Sequence, residues 1–186
     1  MTLPDSLETD RLLLRKWCAA DRDPLAAMLA DPLYHHFMPG PSPRSAANAQ
    51  FDRIQQKIEA QGFAPWVVEL PDAAEFIGFL GLDIPRHTLP ASPCVEIGWH
   101  LSPSYWGQGY ATEGARASLQ FGFEHLGLDE IVSFTVPANN ASRRAMEKIG
   151  MSRDLDGDID HPALEPRHPL RPHVLYRIQP AELEQD

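Results

Sequence analysis

VEIGWHLSPSYWGQGYATEG, Val95 to Gly114, is the stretch on which the reading of this chain turns. Val95–Leu101 has the apolar and β-branched content of a strand, and the Pro103 turn ends it. Gly107 and Gly109 follow, and a helical pattern opens directly after them. The first amides of a helix lack intrahelical acceptors and sit at the positive end of its dipole, so a glycine loop there is suited to hold a phosphate. Glycine also lets the main chain approach a ligand closely. The loop is not a dinucleotide fingerprint, because Thr112 stands where the last glycine of GxGxxG would be, and no GK[ST] follows. On the loop alone, a phosphate cradle and a tight strand-to-helix turn are both open.

Working outward, Ala111–Leu126 is the clearest helix, with Ala111, Ala115, Leu119, Gly122 and Leu126 on one face and Gly127 after its end. Glu130–Val136 reads as a strand, and Asn139 or Asn140 caps a short helix that stops at Gly150. Two more strands are expected near Met151–Asp154 and His173–Ile178. Upstream, Arg11–Lys16 is a strand and Asp21 caps a helix to about Ala30 that Pro32 ends. Ser45–Gln61 is a helix with Phe51, Ile54 and Ile58 in phase, stopped by Gly62. Ala64–Leu70 and Phe76–Leu82 form a hairpin across PDAAE. The order is α+β or mixed α/β, around a central, mostly antiparallel sheet.

At 186 residues the chain is expected to be a single domain, 1–186. No apolar run approaches the roughly 20 residues of a membrane helix, and the N-terminus has no signal-peptide pattern, so a cytoplasmic protein with no membrane partner is expected. Cys18 and Cys94 form no CxxC pair and read as free thiols. Sixteen basic against 26 acidic residues give a net charge of −10, which disfavours nucleic acid and anionic lipid and is compatible with cationic amines.

VEIGWHLSPSYWGQGYATEGA, followed by PANNASRRAMEKIGM, resembles the GNAT acetyltransferases, and within them the branch of the RimJ/RimL N-acetyltransferases; LETDRLLLRKW and FIGFLGL fit that branch too. Trp106 departs from the general Q/R-x-x-G-x-G/A pattern, but Trp is common there in this branch. The resemblance implies a GNAT-like twisted sheet with a splayed parallel strand pair and about four helices. It implies acetyl-CoA as co-substrate, with its pyrophosphate on the amides of Gln108, Gly109, Tyr110, Ala111 and Thr112 and its pantetheine arm along Trp99, His100 and Leu101. No metal is expected.

For catalysis, the resemblance offers Glu96, in V-E-I, as the base that takes the proton of the attacking amine. A salt-bridged or solvent-facing strand residue is the other reading. Glu113 supports the helix dipole. Asn139 and Ser142 match the family's N-x-x-S, in which the Asn contacts CoA and the Ser hydroxyl lies near the thioester sulfur; helix capping explains both as well. The family's usual acid, a downstream Tyr, has no match, since Tyr176 in HVLYRI reads as core. A backbone N–H of Trp99 or His100 would take the oxyanion. Neither cysteine falls on a family nucleophile position, so direct transfer is expected.

The acceptor side is less legible. Tyr34 and Phe37, within YHHFMP, are candidate substrate contacts. The tail from Asp154 to His173 reads as a Pro-rich flap across the acceptor side or as a solvated acidic loop; its acids only partly match an EF-hand, because Ile159 stands where glycine is needed. The expected function is N-acetylation of a primary amine, carried by a small molecule or a protein N-terminus, by a monomer or homodimer. An acyl-CoA-binding sensor without turnover is the alternative.

Overall fold

The computed structural model describes residues 4–183. Eight strands follow the order β1-β2-β3-β4-β5-β6-β8-β7 in one sheet. They are β1 Ser6–Glu8, β2 Leu13–Arg15, β3 Trp66–Leu70, β4 Ala74–Asp83, β5 Glu96–Leu101, β6 Ile131–Thr135, β7 Ser152–Asp160 and β8 Pro172–Ile178. Four α-helices lie among the described residues: α1 Arg22–Ala30, α2 Arg44–Gln61, α3 Tyr110–Glu124 and α4 Asn140–Lys148. The pairings β1–β2, β2–β3, β3–β4, β6–β8 and β7–β8 are antiparallel, and β5–β6 is parallel. This is the mixed α/β, mostly antiparallel architecture that the sequence predicts.

Two compact units are interleaved along the chain. One runs to Gly81 and takes in Gly98–Ala117; the other comprises Leu82–Ile97 and the chain from Ser118 onward.

The first unit is centred on Trp17, Leu25, Tyr34, Phe51, Val67 and Phe79. Trp17 supplies most of the aromatic contact, edge-on to Phe51 at 5.8 Å and tilted against Phe79 at 5.6 Å, and its indole N–H donates to Pro65 O. Such a ring buries much apolar area and still needs a partner for its one donor. On α2, Phe51 and Ile54 are buried and Gly62 closes the helix at φ 83°. Asp21 does not cap α1 as the sequence suggests. Its buried carboxylate accepts from Arg15 Nη1 and Nη2 and from the Cys18 amide, because a carboxylate out of water needs a charged partner and Arg15 of β2 supplies it. Arg15 also reaches Glu69, so the pair ties β2 to β3 as well.

The second unit holds β6, β8 and β7 with α4 beneath Tyr176, which is 1% exposed. Its hydroxyl donates to Glu147 and accepts from Arg143 Nε. The aspartates of this run all lie in a strand, where the sequence predicts one only to Asp154, since β7 extends to Asp160 through a register shift between Asp154 and Ile159. They are spent on arginines: Asp154 on Arg177, Asp158 on Arg153 and Asp160 on Arg171. Pairing with β8 and these ion pairs let an acidic sequence lie in a sheet that its composition disfavours.

Candidate active site

In the first unit the glycine loop is anchored from both sides. Trp106 Nε1 donates to Leu101 O at 2.7 Å, which fixes the loop to the end of β5 and accounts for a Trp at that position. Gly107 (φ 73°) and Gly109 (φ 86°) then turn through the left-handed region, which other residues enter at a cost. α3 starts at Tyr110, and Glu113 N is the first amide to find a helical acceptor, Gly109 O. The amides of Gln108, Gly109, Tyr110, Ala111 and Thr112 take no main-chain acceptor among the described residues. Five donors at the positive end of a fifteen-residue helix fit a pyrophosphate.

β5 supplies the strand beside this loop. A Cβ on Gly78 would lie 2.1 Å from His100 O, so the His100 carbonyl faces β4 at close range. Strand alternation turns the main-chain groups of Trp99 to the opposite edge. Leu101 O is already taken by Trp106.

The His100 ring packs flat on Phe79 at 4.7 Å, with Tyr34 Oη 2.6 Å from Nδ1. A buried phenol without an acceptor for its proton is costly, so the hydroxyl donates to Nδ1 and the ring carries its proton on Nε2. Tyr34 is a buried core residue whose hydroxyl makes that bond; Phe37 is half-buried, edge-on to His36. Burial pushes the His100 imidazole down to about 4 and the Tyr34 phenol up. The unfolded chain therefore protonates this histidine before the folded one does. Its contribution to stability is complete above pH 6.5 and is lost as pH falls from there to about 4. Solvent reaches part of the residue, so the expected loss is about 2 kcal/mol rather than the ~3 kcal/mol of a fully sealed ring. Urea melts of wild type and His100→Gln between pH 7.5 and 4.5 check this; the acid slope should be shallower in the variant.

In the second unit Glu96 opens β5. The parallel register with β6 is recorded at Glu96↔Val132, with Val132 N donating to Val95 O. The next carbonyl, Ile97 O, is taken by the Ser133 hydroxyl at 2.8 Å instead of an amide of β6. This is how a parallel pair parts after one rung. Glu96 is half-buried and lies near enough to Cys94 that its charge helps raise that thiol, though burial is the larger cause.

Asn139 caps α4: its Oδ1 accepts from Ser142 N, and its Nδ2 donates to Thr135 Oγ1 and Ser142 Oγ.

Register also shows what the sequence did not. Glu96 pairs with Val132, Phe134 with Leu175, and His173 lies two residues before Leu175, so Glu96, Phe134 and His173 project from one sheet face. Around Phe134 gather His173 (5.8 Å) and His161 (6.4 Å), and His87 stands 5.9 Å from His161. His173 Nδ1 donates to Arg171 O and His161 Nδ1 accepts from Ala163 N, so the two rings offer opposite Nε2 chemistry, a lone pair on His173 and an N–H on His161. Burial lowers both imidazoles, with the neighbouring His173, His87 and Arg171 adding to the effect on His161. Thr9 and Arg11, whose side chains meet Glu113 in the first turn of α3, were also missed.

Among the described residues no helix is long and apolar enough to cross a membrane. Residues 11–152 match the family model of the acetyltransferase (GNAT) domain. The chain is 31% identical over 154 residues to YkkB of Bacillus subtilis (strain 168), covering 81% of this chain and 87% of that protein. It is 30% identical over 159 residues to the N-acetyltransferase YoaA of the same organism, covering 80% and 83%. Mycobacterium smegmatis RimJ, solved in complex with CoA-disulfide, shares the fold at TM-score 0.79 and 22% identity, over 100% of this chain and 93% of that one. With the model spanning the strand, the glycine loop and the α4 cap, the chain belongs to the GNAT family of acetyl-CoA-dependent acetyltransferases.

Proposed function

We propose that this protein transfers the acetyl group of acetyl-CoA directly to a primary amine, on a small molecule or a protein N-terminus, and that the whole chain works as one acetyltransferase domain. The observation that carries the reading is the run of five amides from Gln108 to Thr112 without main-chain acceptors, presented by glycines at the start of α3. They hold the pyrophosphate. The main-chain groups of Trp99 lie along the pantetheine arm, and the Trp99 N–H is the oxyanion donor; the close approach of His100 O to Gly78 leaves the His100 amide turned towards β4. Acetyl-CoA supplies the activated thioester. The C–N bond forms as the C–S bond breaks, the amine proton passes to Glu96 through water, and Ser142 or water protonates the thiolate. Burial keeps the Cys94 thiol protonated, which supports direct attack over an acyl-cysteine step.

Tyr34 and Phe37 are the candidate acceptor contacts of the first unit; in the second unit, Phe134 and the imidazoles of His87, His161 and His173 form a separate candidate surface for an amine. Burial lowers the His161 and His173 imidazoles, which disfavours a charge that would repel an ammonium, and His173 stands on the face that carries Glu96. The test has two arms. CoA at a hundredfold excess over its Kd should raise the unfolding free energy by about 2.7 kcal/mol. A panel of polyamines, amino sugars, amino acids and short peptides should then show acetyl-CoA-dependent thiol release with at least one amine. No stabilisation by millimolar CoA would sink the reading; stabilisation with no thiol release on any amine would favour a sensor.

A further inference from the structure

Arg11 joins the glycine loop to the first turn of α3 from a position about a hundred residues away in sequence. Its Nε donates to Glu113 Oε2 at 2.7 Å, and its Nη2 lies 2.6 Å from the same oxygen. Its Nη1 donates to Gln108 O at 3.0 Å, and its guanidinium carbon lies 4.7 Å from the centre of the Tyr110 ring. The Arg11 amide and the Thr9 hydroxyl both donate to Glu113 Oε1, at 2.8 and 2.6 Å. Both oxygens of Glu113 are thereby engaged. Burial acts to raise this carboxyl, but the Thr9 hydroxyl and the Arg11 amide and guanidinium outweigh it and hold it below its usual range.

Two physical consequences follow from this clamp. Glu113 is the fourth residue of α3, at the end where the pyrophosphate would bind. A carboxylate and a pyrophosphate at one helix start repel each other, and each competes for the same dipole. Arg11 cancels the charge of Glu113 and leaves the helix end to the ligand. The second consequence is geometric. A trans peptide points its C=O and N–H in opposite directions. Holding the Gln108 carbonyl on Arg11 therefore turns the Gly109 N–H away from Arg11. A Cβ on residue 109 would come within 3.3 Å of Arg11 Nη2, so glycine also makes room for the clamp.

We propose that Arg11 is a positioning residue of the acetyl-CoA site, acting through Glu113 and the Gln108 carbonyl to set the charge and the amide direction of the pyrophosphate loop. The proposal rests on the assignment of that loop to CoA. It makes the segment Thr9–Arg11 part of the cofactor site, although it touches none of the reacting atoms.

The experiment compares wild type, Arg11→Gln, Glu113→Gln and the double variant by calorimetric titration with CoA, with the melting temperature of each ligand-free protein as a control for folding. Arg11→Gln alone should weaken CoA by about tenfold, because it leaves the Glu113 charge uncompensated. The double variant should recover most of that loss, whereas a purely structural clamp would be damaged further. Turnover should show the loss in the KM for acetyl-CoA far more than in kcat, and the KM for S-acetylpantetheine, which lacks the pyrophosphate, should move much less. An Arg11→Gln protein that binds CoA like wild type, or a double variant no better than the single one, overturns the proposal while leaving the function standing. Wild type that fails to bind CoA overturns both.

Discussion

Glu96→Gln is expected to lower the acetylation rate by about 10²-fold or more while CoA affinity stays within about twofold, since a positioned general base contributes factors of that size. The two carboxamide and carboxylate side chains have nearly the same shape, so the Glu96↔Val132 rung and the β5–β6 pairing survive the change. What the variant loses is the capacity to accept a proton. An amine that attacks a thioester without shedding its proton is expelled again, so the loss falls on kcat. The acid limb of the pH–rate profile should flatten, because the group that must be ionised has been removed. Ser142→Ala should cost less, as water can protonate a thiolate; part of its effect will come through the cap, where Ser142 Oγ receives Asn139 Nδ2. Single-turnover assays with saturating acetyl-CoA separate these effects. Unchanged turnover in Glu96→Gln would place the base elsewhere, and the half-buried imidazole of His173, on the same sheet face, would be next in line.

What was legible in the sequence is what depends on local hydrogen-bonding need. Gly62 ends α2, Asn139 caps α4 and Gly109 precedes α3 because a helix end requires specific partners within a few residues. The parts that were not legible depend on contacts distant in sequence. Glu113 looks like a dipole partner until Thr9 and Arg11 arrive from 104 and 102 residues away. Asp21 looks like a cap until Arg15 takes its carboxylate. The Asp-rich run beyond Asp154 reads as loop because strand propensity counts against it, and only the arginines of β7, β8 and the loop before β8 make it a strand. The imidazole group of His87, His161 and His173 has no sequence spacing to announce it; sheet register and two connecting loops assemble it. The candidate CoA loop is therefore readable as a motif, whereas the imidazole group emerges only from tertiary structure.

Gly78→Ala should be the most disruptive small substitution in the first unit. Gly78 sits at φ 142°, a backbone conformation that only glycine adopts readily, and an added Cβ would lie 2.1 Å from His100 O and 2.7 Å from Leu101 Cα. Both obstacles are main chain, so no rotamer change relieves them. Either β4 or β5 must move, and β5 is held by Trp106 on Leu101 O and by Ser102 N on Ile77 O. Backbone strain and overpacking together should cost about 3 kcal/mol or more. Some of that cost is avoidable only if β5 shifts, and the shift would displace Trp99 and the start of the glycine loop. A fall in melting temperature should therefore come with weaker CoA binding in whatever fraction remains folded. A control on the same strand is Phe79→Leu, which removes the ring beneath His100 but leaves the strand spacing alone. It should destabilise through lost packing, by about 1–3 kcal/mol, with CoA affinity largely kept. If Gly78→Ala melted like wild type and bound CoA equally well, the close contact between β4 and His100 would not be what fixes β5 beside the cofactor loop.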